Sequence, residues 1–167
     1  FGLSIPRQNL GTKIEYYVGA RSTLAQGGAI RFLPATGGHV PPNYIITDLT
    51  TPSPLVVNEV LADNKSVDKD QAGDYDDWAE IHNTSNAPIA LAGYYLSDDI
   101  LNAKKWQFPA GTTIPAKGFV RVWLDNEPNE GKLHATFSLD KDGEEVVLSD
   151  ASGRILDIMV FGDQKED

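Results

Sequence analysis

Asp74-Tyr75-Asp76-Asp77-Trp78-Ala79-Glu80-Ile81, continuing through His82-Asn83-Thr84, sets an acidic turn directly against a short apolar–polar alternation. Similar short runs flank it. Val57-Asn58-Glu59-Val60 comes before; Leu91-Ala92-Gly93-Tyr94-Tyr95-Leu96-Ser97-Asp98-Asp99 and Lys105-Trp106-Gln107-Phe108-Pro109 come after. Ile114-Pro115-Ala116-Lys117-Gly118, Leu133-His134-Ala135-Thr136-Phe137-Ser138-Leu139 and Gly143-Glu144-Glu145-Val146-Val147-Leu148-Ser149-Asp150 complete the series. The spacing predicts strands near 55–62, 77–83, 88–90, 93–96, 105–108, 118–124, 134–138, 144–149 and 154–161. Turn signals separate them, among them Gly111, Lys141-Asp142-Gly143 and Ala151-Ser152-Gly153, and no window carries the apolar period of a helix. Many short strands at this spacing predict an all-β, antiparallel sandwich or barrel.

Alternation assigns the faces. Val120, Val122 and Leu124 share one side of their strand, with Phe119, Arg121 and Trp123 on the other. Val146 and Leu148 share a face. Ile155 to Phe161 is apolar on nearly both sides, which predicts a central or covered strand.

The order of these landmarks resembles the lamin-tail domain family, an immunoglobulin-like β-sandwich, in the form found as a module of large exported bacterial proteins. Within it Asp77-Trp78-Ala79-Glu80-Ile81 is similar to the family's core signature, where the tryptophan and isoleucine pack inward and the acid holds nearby backbone. His134 matches a position that the family also tends to fill with histidine. The resemblance implies a lamin-tail-like sandwich over 55–163, an extracellular or cell-surface location, and a non-catalytic interaction or adhesion module that positions a larger protein. Protein or cell-surface glycan partners are implied, and any catalysis would belong to a neighbouring domain. Neither a coiled-coil rod nor a basic localisation segment is present to suggest a nuclear filament role.

The remainder of the chain reads as an appendage. Lys13–Arg21 alternates like a half-buried strand, Ala29–Leu33 and Tyr44–Ile46 suggest further strands, and Pro34–Pro42 is irregular. Residues 1–49 are similar to the last strands of an upstream immunoglobulin- or fibronectin-like module, either cut or docked on the main domain. Docking is favoured because a lone hairpin buries too little apolar surface to offset its ordering entropy. Residues 50–54, Thr-Thr-Pro-Ser-Pro, form a stiff linker, and 164–167 a charged tail. A start at Phe1, without an initiator Met or a signal-peptide pattern, suggests a fragment whose export signal lies elsewhere.

Charge and composition exclude several functions. The chain has 24 acids against 14 bases, a formal charge of −10, which repels a phosphate backbone and argues against nucleic acid. No apolar run is long enough to insert in a bilayer. The absence of cysteine removes disulfides, thiol nucleophiles and thiolate zinc sites. Exposed edge strands leave self-association by strand pairing open.

Six aspartates fall between Leu61 and Asp77, and hard oxygen ligands at that density suit calcium. Asp68, Asp70, Asp74 and Asp76 are the candidate ligands. Asp68-Lys69-Asp70-Gln71-Ala72-Gly73 opens like an EF-hand loop but has Ala72 at its fifth position and Ala79 at its twelfth, so that motif is rejected. Ordinary turn capping by these aspartates is the competing explanation. His39, His82 and His134 show no ligand spacing and no nucleophile motif, so no catalytic residue is assigned, and His134 reads as a packed or hydrogen-bonded strand histidine. Tyr94, Tyr95, Trp106 and Trp123 offer material for a carbohydrate-binding platform, against core packing as the alternative. A calcium-stabilised spacer is the third functional alternative.

Overall fold

In this computed structural model the described residues are 53–166, with 13–15, 18–21, 30–33 and 43–45 in strands nearer the N-terminus. The chain divides into two compact units, 1–47 and 48–167. The first contains β1 (Lys13–Glu15), β2 (Val18–Arg21), β3 (Ile30–Leu33) and β4 (Asn43–Ile45), paired antiparallel as β1 with β4 and β2 with β3. The single strand expected over 13–21 is thus two. The irregular stretch 34–42 and most of the proline linker lie outside the described residues.

The second unit holds β5 (Leu55–Leu61), β6 (Trp78–Asn83), β7 (Ile89–Ala90), β8 (Tyr95–Ser97), β9 (Trp106–Gln107), β10 (Thr113–Ile114), β11 (Phe119–Trp123), β12 (Glu145–Ser149) and β13 (Ile155–Val160). A three-stranded sheet runs β11-β6-β5, a four-stranded sheet β13-β12-β8-β9, and a small ladder joins β10 to β7. Every strand pairing is antiparallel. The two sheets share a core to which Leu55, Val57, Ala79, Ile81 and Val122 contribute from one side. Leu96, Trp106, Val146 and Leu148 contribute from the other. This is the expected all-β, immunoglobulin-like antiparallel β-sandwich.

Three strand expectations are corrected. Residues 134–138 form isolated bridges, Trp123 to His134 and Asp125 to Ser138, not a strand. Thr113–Ile114, hidden by Pro115, pairs as β10. The apolar β13 is not central: it is the outer strand of its sheet and half-buried along most of its length. Its edge faces β5, where Asp157 Oδ2 accepts from Val57 N at 2.7 Å beside the β5 irregularity between Val57 and Glu59. Gln164 extends this seam by accepting from Ala62 N at 2.8 Å and donating to Val60 O at 3.3 Å. Side chains on and just after β13 thereby satisfy the free edge of the other sheet.

Candidate functional site

Parity controls the acidic end of the molecule. Trp78 and Ile81 are three residues apart on a regular strand, so they point to opposite faces. Ile81 enters the shared core; Trp78 is also buried, but beneath the loop that covers the outer face, which corrects the expectation that both pack inward. There the Arg121 guanidinium lies 4.3 Å from the Trp78 ring and 5.6 Å from that of Trp123, and it pairs with Asp68.

Asn64 folds the acidic loop over this stack. Only 1% exposed, it donates from Nδ2 to the Asp68 and Asp76 carbonyls at 2.8 and 2.9 Å, while its Oδ1 accepts from Val67 N at 3.2 Å. Asp70 turns into the interior of the loop. Its Oδ1 accepts from Gly73 N and Asp74 N, each at 2.8 Å, a tight turn that Gly73 permits at φ +100°.

The other Asp70 oxygen, Oδ2, lies 3.9 Å from His134 Nε2, and the two side chains are 0% and 1% exposed. His134 Nδ1 lies 2.5 Å from Asp125 Oδ2. An ionised carboxylate only accepts, so Nδ1 carries the hydrogen and Nε2 is turned toward Asp70. The chain closes tightly here: a Cβ on Gly131 would lie 2.8 Å from His134 Cδ2 and 3.0 Å from Gln71 Oε1.

Glu130 reaches the same place from the turn after β11. Donor atoms of Asp70, Glu130 and His134 all lie within 4.8 Å of one another, as do those of Asp76, Glu127 and Glu130. Glu130 belongs to both trios, so the five side chains form one continuous group of possible cation ligands. Asp70 Oδ2, Asp76 Oδ2, Glu130 Oε2 and His134 Nε2 are buried without a hydrogen-bond partner. Among the described residues, the two other side-chain atoms in that condition, Trp78 Nε1 and Arg121 Nε, belong to the adjacent stack.

The carboxyls respond to this crowding. Burial raises Asp76, and Asp125, Asp70, Glu127 and Asp74 add to the effect. Burial likewise raises Glu130, followed by repulsion from Glu127. Asp70 moves down: burial is the largest influence and opposes this, but backbone donors from Asp74, Ala72 and Gly73, with Glu130 as a side-chain partner, together outweigh it.

Of the four sequence-chosen acids, the structure therefore brings Asp70 and Asp76 to the cluster. Asp68 instead faces Arg121, and Asp74 contributes its backbone N–H and carbonyl to the Asp70 turn, its carboxylate belonging to neither trio. Glu127, Glu130 and the orienting Asp125 went unnoticed because they sit in a segment that reads as a charged turn. His134 is buried and hydrogen-bonded to Asp125, as expected, but it lies on an isolated bridge and not in a strand. Its position between two acidic turns was the available signal.

A second acidic place is the cleft lined by Ala62, Asp63, Asp77, Leu139, Lys141 and Glu144. Burial pushes Asp77 up to about 6 there and raises Glu144 as well. Asp77 Oδ1 lies 3.4 Å from Asn64 N, and Asp63 pairs with Lys65 and Lys141 at 3.5 and 3.6 Å. These contacts anchor the loop. The aromatic platform fares worse: Trp106 and Trp123 are buried, and Tyr94 and Tyr95 half-buried.

The family model described as Lamin Tail Domain matches residues 49–163. No curated protein matches the sequence. The matched family is one of non-catalytic immunoglobulin-like domains, in agreement with a β-sandwich whose signature residues Trp78 and Ile81 are both buried. The chain belongs to the lamin tail domain family.

Proposed function

We propose that this domain is an interaction or adhesion module that positions a larger exported bacterial protein at a cell surface, with protein or surface glycan as its partner. The observation that carries this reading is the outer half of β11. Phe119 is 49% exposed, yet its ring stacks on His82 at 4.2 Å and 14°. β11 is the outer strand of its sheet. Residues 133–135 run beside it only at Trp123, so among the described residues Phe119 to Arg121 have no strand neighbour on that side. A rigid aromatic next to open backbone groups suits recognition of another surface. A sugar platform is the weaker reading, because two of its four aromatics are buried.

The test is binding of labelled full-length chain to isolated bacterial envelopes. Saturable binding that falls at least tenfold in Phe119→Asp is expected, and protease treatment of the envelopes separates a protein partner from a glycan. Binding no better than that of an inert β-sandwich of equal charge would overturn the reading.

A further inference from the structure

We infer that Asp70, Glu130 and His134, extended by Asp76 and Glu127, form a binding site for a borderline divalent transition-metal ion, with zinc as the best fit. The site is distinct from the β11 surface, and neither reading depends on the other.

Four observations converge. The donors come from three separate segments, the β5–β6 loop, the turn after β11 and the His134 bridge, and the fold alone brings them together. Two of the donor side chains, Asp70 and His134, are almost wholly buried, and each directs an atom without a hydrogen-bond partner toward the other. Their separation of 3.9 Å is within about 0.5 Å of the ~3.4 Å between two ligands of a tetrahedral ion with bonds of about 2.0–2.1 Å, so a bound ion would draw the two side chains slightly together. Finally, Asp125 holds Nδ1 of His134, the arrangement by which an orienting carboxylate fixes a ligating imidazole and strengthens its free nitrogen.

His134 decides the class of ion. Calcium and magnesium are bound by oxygen, and an imidazole at the centre of the group gives them little. Zinc accepts nitrogen and carboxylate oxygen in one tetrahedral set, and manganese or cobalt tolerates the same donors with more oxygen. Three protein ligands, Asp70, Glu130 and His134, leave a fourth position for water or for Asp76 moving in through its neighbour Glu127. The bound ion would tie the acidic loop to the turn after β11 and replace repulsion among carboxylates with a shared counter-charge.

The test uses the full chain without a histidine tag, stripped with EDTA and titrated with zinc chloride or calcium chloride by calorimetry and thermal unfolding. One equivalent of zinc should bind, with a rise in Tm of about 5 °C at a hundredfold excess over Kd. Calcium should bind at least tenfold more weakly. Glu130→Gln should weaken zinc at least tenfold without lowering Tm in EDTA, since it removes one of the crowded charges. Asp68→Asn should leave zinc affinity within twofold. Cobalt should give visible d–d absorption that Glu130→Gln diminishes, a readout independent of stability. His134→Gln is the stronger ligand deletion, and the half-buried Glu130 keeps the test decisive if that variant does not fold. Absence of zinc binding would overturn the proposal. Calcium bound as tightly as zinc, or zinc binding unaffected by Glu130→Gln, would overturn it too.

Discussion

Asn83 and Asp70 are both buried polar side chains beside the same sheet, and their surroundings differ in kind. Asn83, 0% exposed, ends β6. Its Nδ2 donates to the carbonyls of Ala87, Pro115 and Ile114 at 2.7, 2.9 and 3.2 Å, and its Oδ1 accepts from Ser85 N and Oγ at 2.9 and 2.7 Å. Donors and acceptor are all matched, and two loops are fastened to the end of a strand. Asp70 has one oxygen matched and one unmatched, and Asp76, Glu130 and His134 beside it each carry a buried atom without a hydrogen-bond partner. The cause is chemical. An amide carries donors and an acceptor and can complete itself from neutral backbone. Ionised carboxylates only accept, so a group of them is satisfied by a proton held between two of them or by a cation. Burial alone marks neither place; the unmatched valence distinguishes the second.

The comparison breaks first at Asn83. Asn83→Ala removes the donor from three carbonyls and should cost about 3 kcal/mol in urea unfolding, the largest of the effects considered, since each polar group left unmatched in the interior costs about 1–3 kcal/mol. Zinc should not restore it. A loss below about 1 kcal/mol would mean that water serves these carbonyls as well as the side chain does, and the contrast with Asp70 would fail.

Arg121→Ala comes next. The guanidinium packs between two indoles under the acidic loop, and its removal should cost about 1–2 kcal/mol, within the range of partly desolvated cation–π contacts. Its ion pair with Asp68 adds little, because the Asp68 side chain is 48% exposed. The variant sharpens the comparison because it loosens the floor beneath the acidic loop and removes no ligand. Zinc affinity measured by calorimetry should therefore fall less than in Glu130→Gln. A larger fall would show that the stack, more than the carboxyls, assembles the group.

Local pattern made one face of the central sheet legible and hid the other. Val120 and Val122 alternate with Phe119, Arg121 and Trp123 as their spacing requires, because a strand with one buried face has a fixed period. The same parity rule, applied to Trp78 and Ile81, would have separated them; apolar character alone suggested one destination, and the covering loop made two. β10 escaped notice because a two-residue strand beside proline carries almost no periodic signal. In the cluster, the density of aspartates drew the eye to Asp70 and Asp76, while Asp68 looked equivalent until Arg121 claimed it. Glu127 and Glu130 lie more than fifty residues further on, and only the return of the chain past Trp123 brings them near. Ligand sets drawn from separate loops have no spacing to read.

The smallest effect tests whether a matched carboxyl behaves like the matched amide. Asp150 closes the β12–β13 hairpin: Oδ1 accepts from Ser152 N, Ser152 Oγ and Arg154 N at 2.9, 2.6 and 3.0 Å, and Oδ2 from Arg154 Nε at 3.1 Å. Burial, the largest single influence, pulls its pKa up, yet the combined donation from Ser152 and Arg154 brings it down to about 2 from 3.8. A carboxyl whose folded value is depressed binds protons less readily than in the unfolded chain. Its contribution is therefore complete above the unfolded value of 3.8 and is lost as pH falls toward about 2. The Asp150 side chain is 21% exposed and that of Arg154 37%, so the pair is partly screened and the contribution is about 0.5–1 kcal/mol. Asp150→Asn should lower the unfolding free energy measured in urea by that amount at pH 6, and the difference from the parent should shrink steadily to nothing as pH approaches 2. Arg154 is the partner that makes the charge useful, so Asp150→Asn in an Arg154→Ala background should show much less of this dependence. An undiminished difference at low pH would mean that the hairpin depends on the shape of the side chain and not on its charge, and Asp150 would then belong with Asn83 in geometry alone.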